Sequence, residues 1–526
     1  MATRYKIIPL AEKTDIGVVM GDKNTKTVRQ DSVGLHARWR LLMAGTTLVA
    51  LSGCMSLAPE HNRPEAPVPQ TYSADFVDYT ASGQPVPMLP WRTYFTDPLL
   101  QSLIETALDN NRDLRQAILR VEEAGAAFRI LRGDRFPEVS VGGQGARSRM
   151  PGDLSGNIGQ PMVGGEYRAE VGLSSWELDL WGRVRNLETS ALESWLATDA
   201  ARRAVQVSLI AEVADGYLGL RELDERVGIA RRTVATHEDS YRIFQLRYDV
   251  GATSKLDAIQ VQTLLTQAQA LLAQLEQQRA QQINALRLLV GGNPQLLPQQ
   301  APFDKSNILA PITAGLPSDL LIQRPDIVAA EHRLRAANAN IGAARAAFLP
   351  RIALTGSFGT ASAELDGLFE SGSRAWAFVP TLSLPIFDGG RRRANLELSE
   401  VRRDIAVAEY EQSIQIAFRE VADALAARHW LSRQLEVTRV ARDVQAERVR
   451  LAQLRYDHGS SAYLEVLDAQ RDLLETEQQL VVMRREMLSS QISLYSALGG
   501  GGPDEAPSSP SSPSTTPDIA SVNYLR

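Results

Sequence analysis

From Ile352 the chain alternates: Ile352, Leu354 and Phe358 fall on one side, Ala353, Thr355 and Ser357 on the other. From Trp376 it does so again, with Trp376, Phe378, Leu382, Leu384 and Ile386 set against Ala377, Thr381 and Ser383. A period of two predicts strands, each with one apolar face. In the first half, Val139/Val141 and Tyr167, Ala169, Val171 and Leu173 alternate less cleanly, and the phase slips near Ser174-Ser175. A β-bulge there accounts for the slip. Elsewhere the period lengthens. Leu264/Leu271 and Leu265/Leu272 stand seven apart, with Ala268 and Leu275 on a neighbouring track, which predicts helices packed along a coiled-coil seam. Helical patterning also follows Asp179-Leu-Trp-Gly-Arg183 and Asp388-Gly-Gly-Arg391. Each run lasts roughly 65 residues, or roughly 100 Å at 1.5 Å per residue, too long for one globular core. An earlier helix opens at Asp97-Pro98, an N-cap before a first-turn proline, and is expected to continue to Arg132.

These elements come twice. Leu246-Arg-Tyr-Asp-Val-Gly251 returns as Leu454-Arg-Tyr-Asp-His-Gly459, 208 positions on (459 − 251). Leu256 and Leu464, Gln262 and Gln470, and Gly291-Gly292 and Gly499-Gly500 share that offset. Upstream, Phe136-Pro137 aligns with Leu349-Pro350 at an offset of 213 (350 − 137), a difference that a longer first loop absorbs. Each half reads as helix, strand, strand, long helix, helix, and each Gly-containing Tyr-Asp break reads as the turn of a helical hairpin.

The two strand pairs have the roughly 9–11 residues that a transmembrane barrel strand needs, although a sheet half buried in a soluble protein shows the same alternation. No stretch approaches the roughly 18 apolar residues of a membrane-spanning helix, so a crossing would have to use strands. Arg38-Trp-Arg40 and the apolar run 41–50 have the charged head and short core of a secretory signal. That run ends in Leu51-Ser-Gly-Cys54, which resembles a bacterial lipobox. Cys54 is the only cysteine, so an intrachain disulfide framework is excluded. It is read either as a lipidated N-terminus or as a buried thiol. The charge of −6, with both signs mixed, gives no sign of a nucleic-acid partner. Walker, His-Glu-x-x-His and Gly-x-Ser-x-Gly motifs are absent, and six scattered histidines with one cysteine build no metal site. No enzyme, cofactor or metal is expected.

Four strands cannot close a barrel, and open edges are not tolerated in lipid. Three chains together would supply twelve strands and gather the hairpins into a tube. Trp176-Glu-Leu-Asp-Leu-Trp-Gly-Arg-Val-Arg185, Gln323-Arg-Pro-Asp326, Pro385-Ile-Phe-Asp-Gly-Gly-Arg391 and Tyr463-Leu-Glu-Val-Leu-Asp-Ala-Gln-Arg471 closely resemble the TolC-type outer-membrane efflux factors, in their OprM/NodT-like lipoprotein branch. The resemblance covers about residues 54–500. It implies a mixed α and β membrane protein whose trimer forms a 12-stranded β-barrel continued by a long periplasmic α-helical barrel. It also implies a passive outer-membrane duct for drugs or other small molecules, a periplasmic adaptor and an inner-membrane RND-type pump as partners, and contact with outer-membrane lipids. The corresponding divisions are a leader and signal over 1–53, a lipid-anchored strap over 54–96, repeats over 97–300 and 301–500, and a disordered tail over 501–526. Two alternatives remain open: the duct of ABC-driven type I protein secretion, and a lipid-anchored periplasmic coiled-coil scaffold without a pore.

By the same resemblance the hairpin turns form the periplasmic mouth, with Leu464, Glu465, Asp468 and Asp257 as gate residues. Three copies of Asp468 would bring like charges together and attract cations. Asp257 also fits a capping box with Ser254. Tyr248, Gly251, Tyr456 and Gly459 belong to the tip that would meet the adaptor; the glycines suit the tight turn, and the tyrosines suit either closure of the tip or ordinary packing. Ser461 stands where some family members carry an arginine of the closed-state network. Trp176, Trp181 and Trp376 suit membrane interfaces or core packing. The basic run Arg391–Arg393 suits lipid phosphate, interior water or a solvated helix start.

Overall fold

A computed structural model describes residues 56–73, 84–85, 89–153, 160–294, 296, 308–313 and 324–501. Cys54 with its leader, Gln323 and the C-terminal tail lie outside the described residues. In chain order the elements are β1 (Gln84–Pro85), α1 (Trp91–Tyr94), α2 (Pro98–Asn110), α3 (Arg112–Gly133), β2 (Val139–Met150), β3 (Met162–Glu177), α4 (Arg183–Asp249) and α5 (Lys255–Val290). They continue with β4 (Ile312–Thr313), α6 (Pro325–Ala346), β5 (Arg351–Ser362), β6 (Arg374–Ser383), α7 (Arg391–Asp457) and α8 (Tyr463–Ala497). The long helices α4 and α7 have 67 residues each, about 100 Å. No helix among the described residues is long and apolar enough to cross a membrane.

The four long strands form one antiparallel sheet in the order β2-β3-β5-β6. Its register sorts side chains by face. Val141, Val171, Phe358 and Trp376 make one row across all four strands, while Gly142, Glu170, Gly359 and Ala375 make the next row on the opposite face. The apolar face is exposed: Val141, Phe358, Trp376, Phe378 and Leu382 are all open to the surroundings. The expected bulge is present, since the β3–β5 register shifts between Leu173 and Trp176. Three residues apart, those two side chains would otherwise point to opposite faces. The extra residue returns Trp176 to the apolar face, opposite Leu354, and Glu177 to the polar one, opposite Ala353.

The expected continuous helix over 97–132 is instead two helices. Asn111 ends α2 and caps α3: its side-chain oxygen accepts from the Asp113 and Leu114 amides, each at 2.9 Å. Its Nδ2 donates to the Leu289 carbonyl at 2.9 Å, tying the break to the end of α5. There Gly291 (φ +67°) brings its backbone against Asn110, where a Cβ would lie 2.5 Å from the Asn110 carbonyl oxygen. Asp97 caps α2 through the Leu99 and Leu100 amides and also accepts from Tyr217 Oη at 2.8 Å. The helices are layered in two tiers. Near the sheet, α3 packs on α4, α4 on α6 and α6 on α7; away from it, α5 packs on α4, α4 on α8 and α8 on α7. The main core lies where the tiers meet, around Tyr94, Phe95, Tyr217, Tyr410, Ile492 and Tyr495. The Tyr94 and Tyr495 rings stack at 4.3 Å, and Tyr94 Oη donates to the Gln491 carbonyl.

Residues 56–73 run over the upper tier as a strap. Ser56 donates to Asn186 Oδ1 at 2.8 Å, Arg63 pairs with Glu331 at 2.8 Å, and Tyr72 stacks on Phe418 at 5.1 Å. At the top of the long helices, Glu177 accepts from Arg183 and from Arg351, both at 2.7 Å, pinning the strand ends to α4.

Candidate functional site

Both tip turns have the same construction. In the first, the Gly251 amide donates to Tyr248 O and the Ala252 amide to Arg247 O; in the second, the Gly459 amide donates to Tyr456 O and the Ser460 amide to Arg455 O. This is a Schellman closure, with a left-handed glycine after the helix: φ is +75° at Gly251 and +69° at Gly459. Any residue with a Cβ would be strained at either position.

Between the hairpins the tip is tied by aromatic rings and one cation. Phe244, Val261 and Leu467 are buried together, with Tyr456 and Tyr463 packed against them. Tyr463 lies 4.5 Å from Phe244 and 4.8 Å from Tyr456, and its hydroxyl bonds Ser240 Oγ at 3.0 Å. Arg247 donates to the Tyr456 hydroxyl while its guanidinium lies over the Phe244 ring at 5.6 Å. Tyr456 therefore links the second hairpin to the first within one chain, whereas Tyr248 is exposed.

Leu464, Glu465 and Asp468 share the first turns of α8, and Asp257 lies in the first turn of α5. Asp257 forms the capping box, accepting from the Ser254 amide (3.2 Å), Ser254 Oγ (2.7 Å) and Thr253 Oγ1 (2.9 Å). The Ser254 and Thr253 hydroxyls hold its carboxyl below the usual range. Glu465 pairs with Arg455 at 2.8 Å inside its own hairpin. Asp468 pairs with Arg471 one turn away at 3.3 Å, and Leu464 is exposed. Arg247, Arg455, Phe244 and Tyr463 were not singled out from sequence. Arg247 and Arg455 could have been, because they occupy the same place in the two Leu-Arg-Tyr-Asp copies. At the other end of the long helices, the Trp176 and Trp181 indoles donate to the Arg135 and Pro350 carbonyls, while Trp376 is exposed on the apolar face. Asp388 accepts from the Gly390 and Arg392 amides and from the Arg392 guanidinium, so it starts α7 and occupies one arginine of the basic run.

A sheet with one apolar and one polar face, continued by helices about 100 Å long that turn back as hairpins at their far end, is the architecture of an outer-membrane channel protomer. The outer membrane efflux protein family profile matches residues 103–292 and again 316–500. OprJ of Pseudomonas aeruginosa is 44% identical over 458 residues, spanning 86% of this chain and 95% of OprJ. The toluene efflux pump outer membrane protein TtgF of Pseudomonas putida is 46% identical over 461 residues, spanning 86% of this chain and 95% of TtgF. Among solved structures, a membrane protein from Pseudomonas aeruginosa superposes with a TM-score of 0.79 at 44% identity, over 85% of this chain and 98% of that one. The open state of the Neisseria gonorrhoeae MtrE outer membrane channel gives 0.77 at 36% identity, over 85% and 98%. The chain belongs to the outer membrane efflux protein family. Its place is the outer membrane and its work is efflux. Neither type I secretion nor a poreless scaffold gains support from these relatives.

Proposed function

We propose that three copies of this chain form the passive exit duct of a tripartite efflux system, receiving small molecules from an RND-type pump through a periplasmic adaptor at the hairpin tips. One observation carries the reading: the chain is a wall one layer thick, and its free edges agree at every level. One edge consists of β2, α3 and α5, and the other of β6 and α7. In the sheet, β2 and β6 run in opposite directions, so β6 of one copy can pair antiparallel with β2 of the next. Such head-to-tail association closes into a ring, and closure is what an exposed sheet edge in lipid requires. Twelve strands and twelve long or short helices per level then surround one lumen.

The strap fits the same scheme. Ser56 and Leu57 contact Asn186 and Arg345, close to where α4 and β5 begin. Cys54, two residues earlier in the chain, is the residue that the lipobox would lipidate, which would tether the strap to the membrane. The cargo is a small molecule, in keeping with TtgF, whose name specifies toluene. The test is accumulation of a fluorescent cationic dye in a deletion strain. Accumulation should rise and return to normal with the intact gene; unchanged accumulation together with loss of a secreted protein would overturn the reading.

A further inference from the structure

The polar face of the sheet carries few charges, and their pairing leaves one carboxylate over. Glu166 and Arg168, two residues apart on β3 and therefore on the same face, are ion-paired with each other. Glu177 is held by Arg183 and Arg351. Glu170 lies between these pairs on that face and has no ion pair among the described residues. Its ladder partners are Gly142 on β2 and Gly359 on β5, so no neighbouring side chain stands directly beside it. The two glycines differ. A Cβ at Gly359 would fall 2.1 Å from the Ala169 carbonyl oxygen, so the backbone there admits only glycine, whereas a Cβ at Gly142 would meet nothing within 4 Å. Glu170 thus projects beside open space, on an inner strand whose two neighbours both belong to its own chain.

We propose that Glu170 is a selectivity residue of the β-barrel, three copies forming a carboxylate ring that favours cationic solutes at the exit, well away from the hairpin tips. This rests on the channel reading, in which the polar face lines the lumen. A ring of like charge in a pore raises the local concentration of counter-ions. Its reach is set by screening, with a Debye length of about 10 Å at 0.1 M and about 3 Å at 1 M. At the lower salt the field extends across a lumen of molecular width; at the higher it stays near the wall.

The experiment is the reversal potential of the purified protein in planar bilayers under a potassium chloride gradient. Wild type is compared with Glu170→Gln and with Gly142→Lys, which leaves Glu170 in place and sets an ammonium in the open space beside it. Both variants should lower the potassium-to-chloride permeability ratio about two- to threefold near 0.1 M, with the difference vanishing near 1 M. Channels that conduct with unchanged reversal potential in both variants overturn the ring while leaving the pore intact. No conductance from any of the proteins, wild type included, overturns the pore reading and the ring with it.

Discussion

The Arg247–Tyr456 contact offers a direct test of how the tip is held. Tyr456→Phe removes only the hydroxyl that accepts from Arg247, keeping the ring that packs against Tyr463 at 4.8 Å. A hydrogen bond to a charged group contributes about 1.5–3 kcal/mol when shielded. Arg247 is exposed, however, so its guanidinium rehydrates and no buried donor is left orphaned. The loss is therefore about 0.5–1 kcal/mol per chain. If three copies open together, the sum is about 1.5–3 kcal/mol, which raises the open population about ten- to hundredfold. Single-channel recording gives open probability directly. Arg247→Ala should do the same or slightly more, since it also loses the Phe244 ring contact at 5.6 Å. The double variant should add little to Arg247→Ala alone, because both changes remove one shared contact. An open probability within twofold of wild type in Tyr456→Phe would refute a role for this link in closure.

Three further outcomes follow from the geometry. Asp468→Ala, whose partner Arg471 is one turn away at 3.3 Å, should raise single-channel conductance; unchanged conductance and ion selectivity would remove Asp468 from the gate. Glu331 is buried, which alone would raise its pKa, but Arg63 and Arg335 outweigh burial and hold it below 4.5. With the folded value depressed, its contribution is complete above about pH 4.5 and is lost as pH falls through the depressed value. Both arginines are about 40% exposed, so Glu331→Gln should cost about 1–2 kcal/mol. Hydrogen exchange over residues 56–73 should accelerate about tenfold at neutral pH, and the variant should differ less from wild type in acid. Deleting Ser174 should leave heat-resistant assembly in the outer membrane intact, because one residue between Leu173 and Trp176 restores strict alternation and keeps Trp176 on the apolar face and Glu177 on the polar face, within reach of Arg183 and Arg351. A deletion protein that fails to assemble would show that the bulge does more than accommodate one extra residue.

Periodicity along the chain determined most of the local structure. Alternation at Ile352–Phe358 and Trp376–Leu382 marked β5 and β6, the phase slip marked the bulge, and the repeated Tyr-Asp-x-Gly turns marked the hairpin tips, because each pattern is a property of a few consecutive residues. The break at Asn111 was not legible. Its apolar pattern continues through the cap, and the partner that fixes the turn, the Leu289 carbonyl, lies 178 residues away. The roles of the tip carboxylates were likewise ambiguous in one dimension. Asp257 suits capping or gating; the structure shows the capping half, with the Ser254 and Thr253 hydroxyls around its carboxylate, and Arg247 takes its contact from Tyr456 of the other hairpin. Glu170 stood out least of all, since its isolation depends on two glycines brought alongside from β2 and β5. Spacing within an element is written in neighbouring residues. Which charges are satisfied, and which is left facing the open side of the sheet, depends on contacts between residues far apart in the chain, and only the tertiary structure decides those.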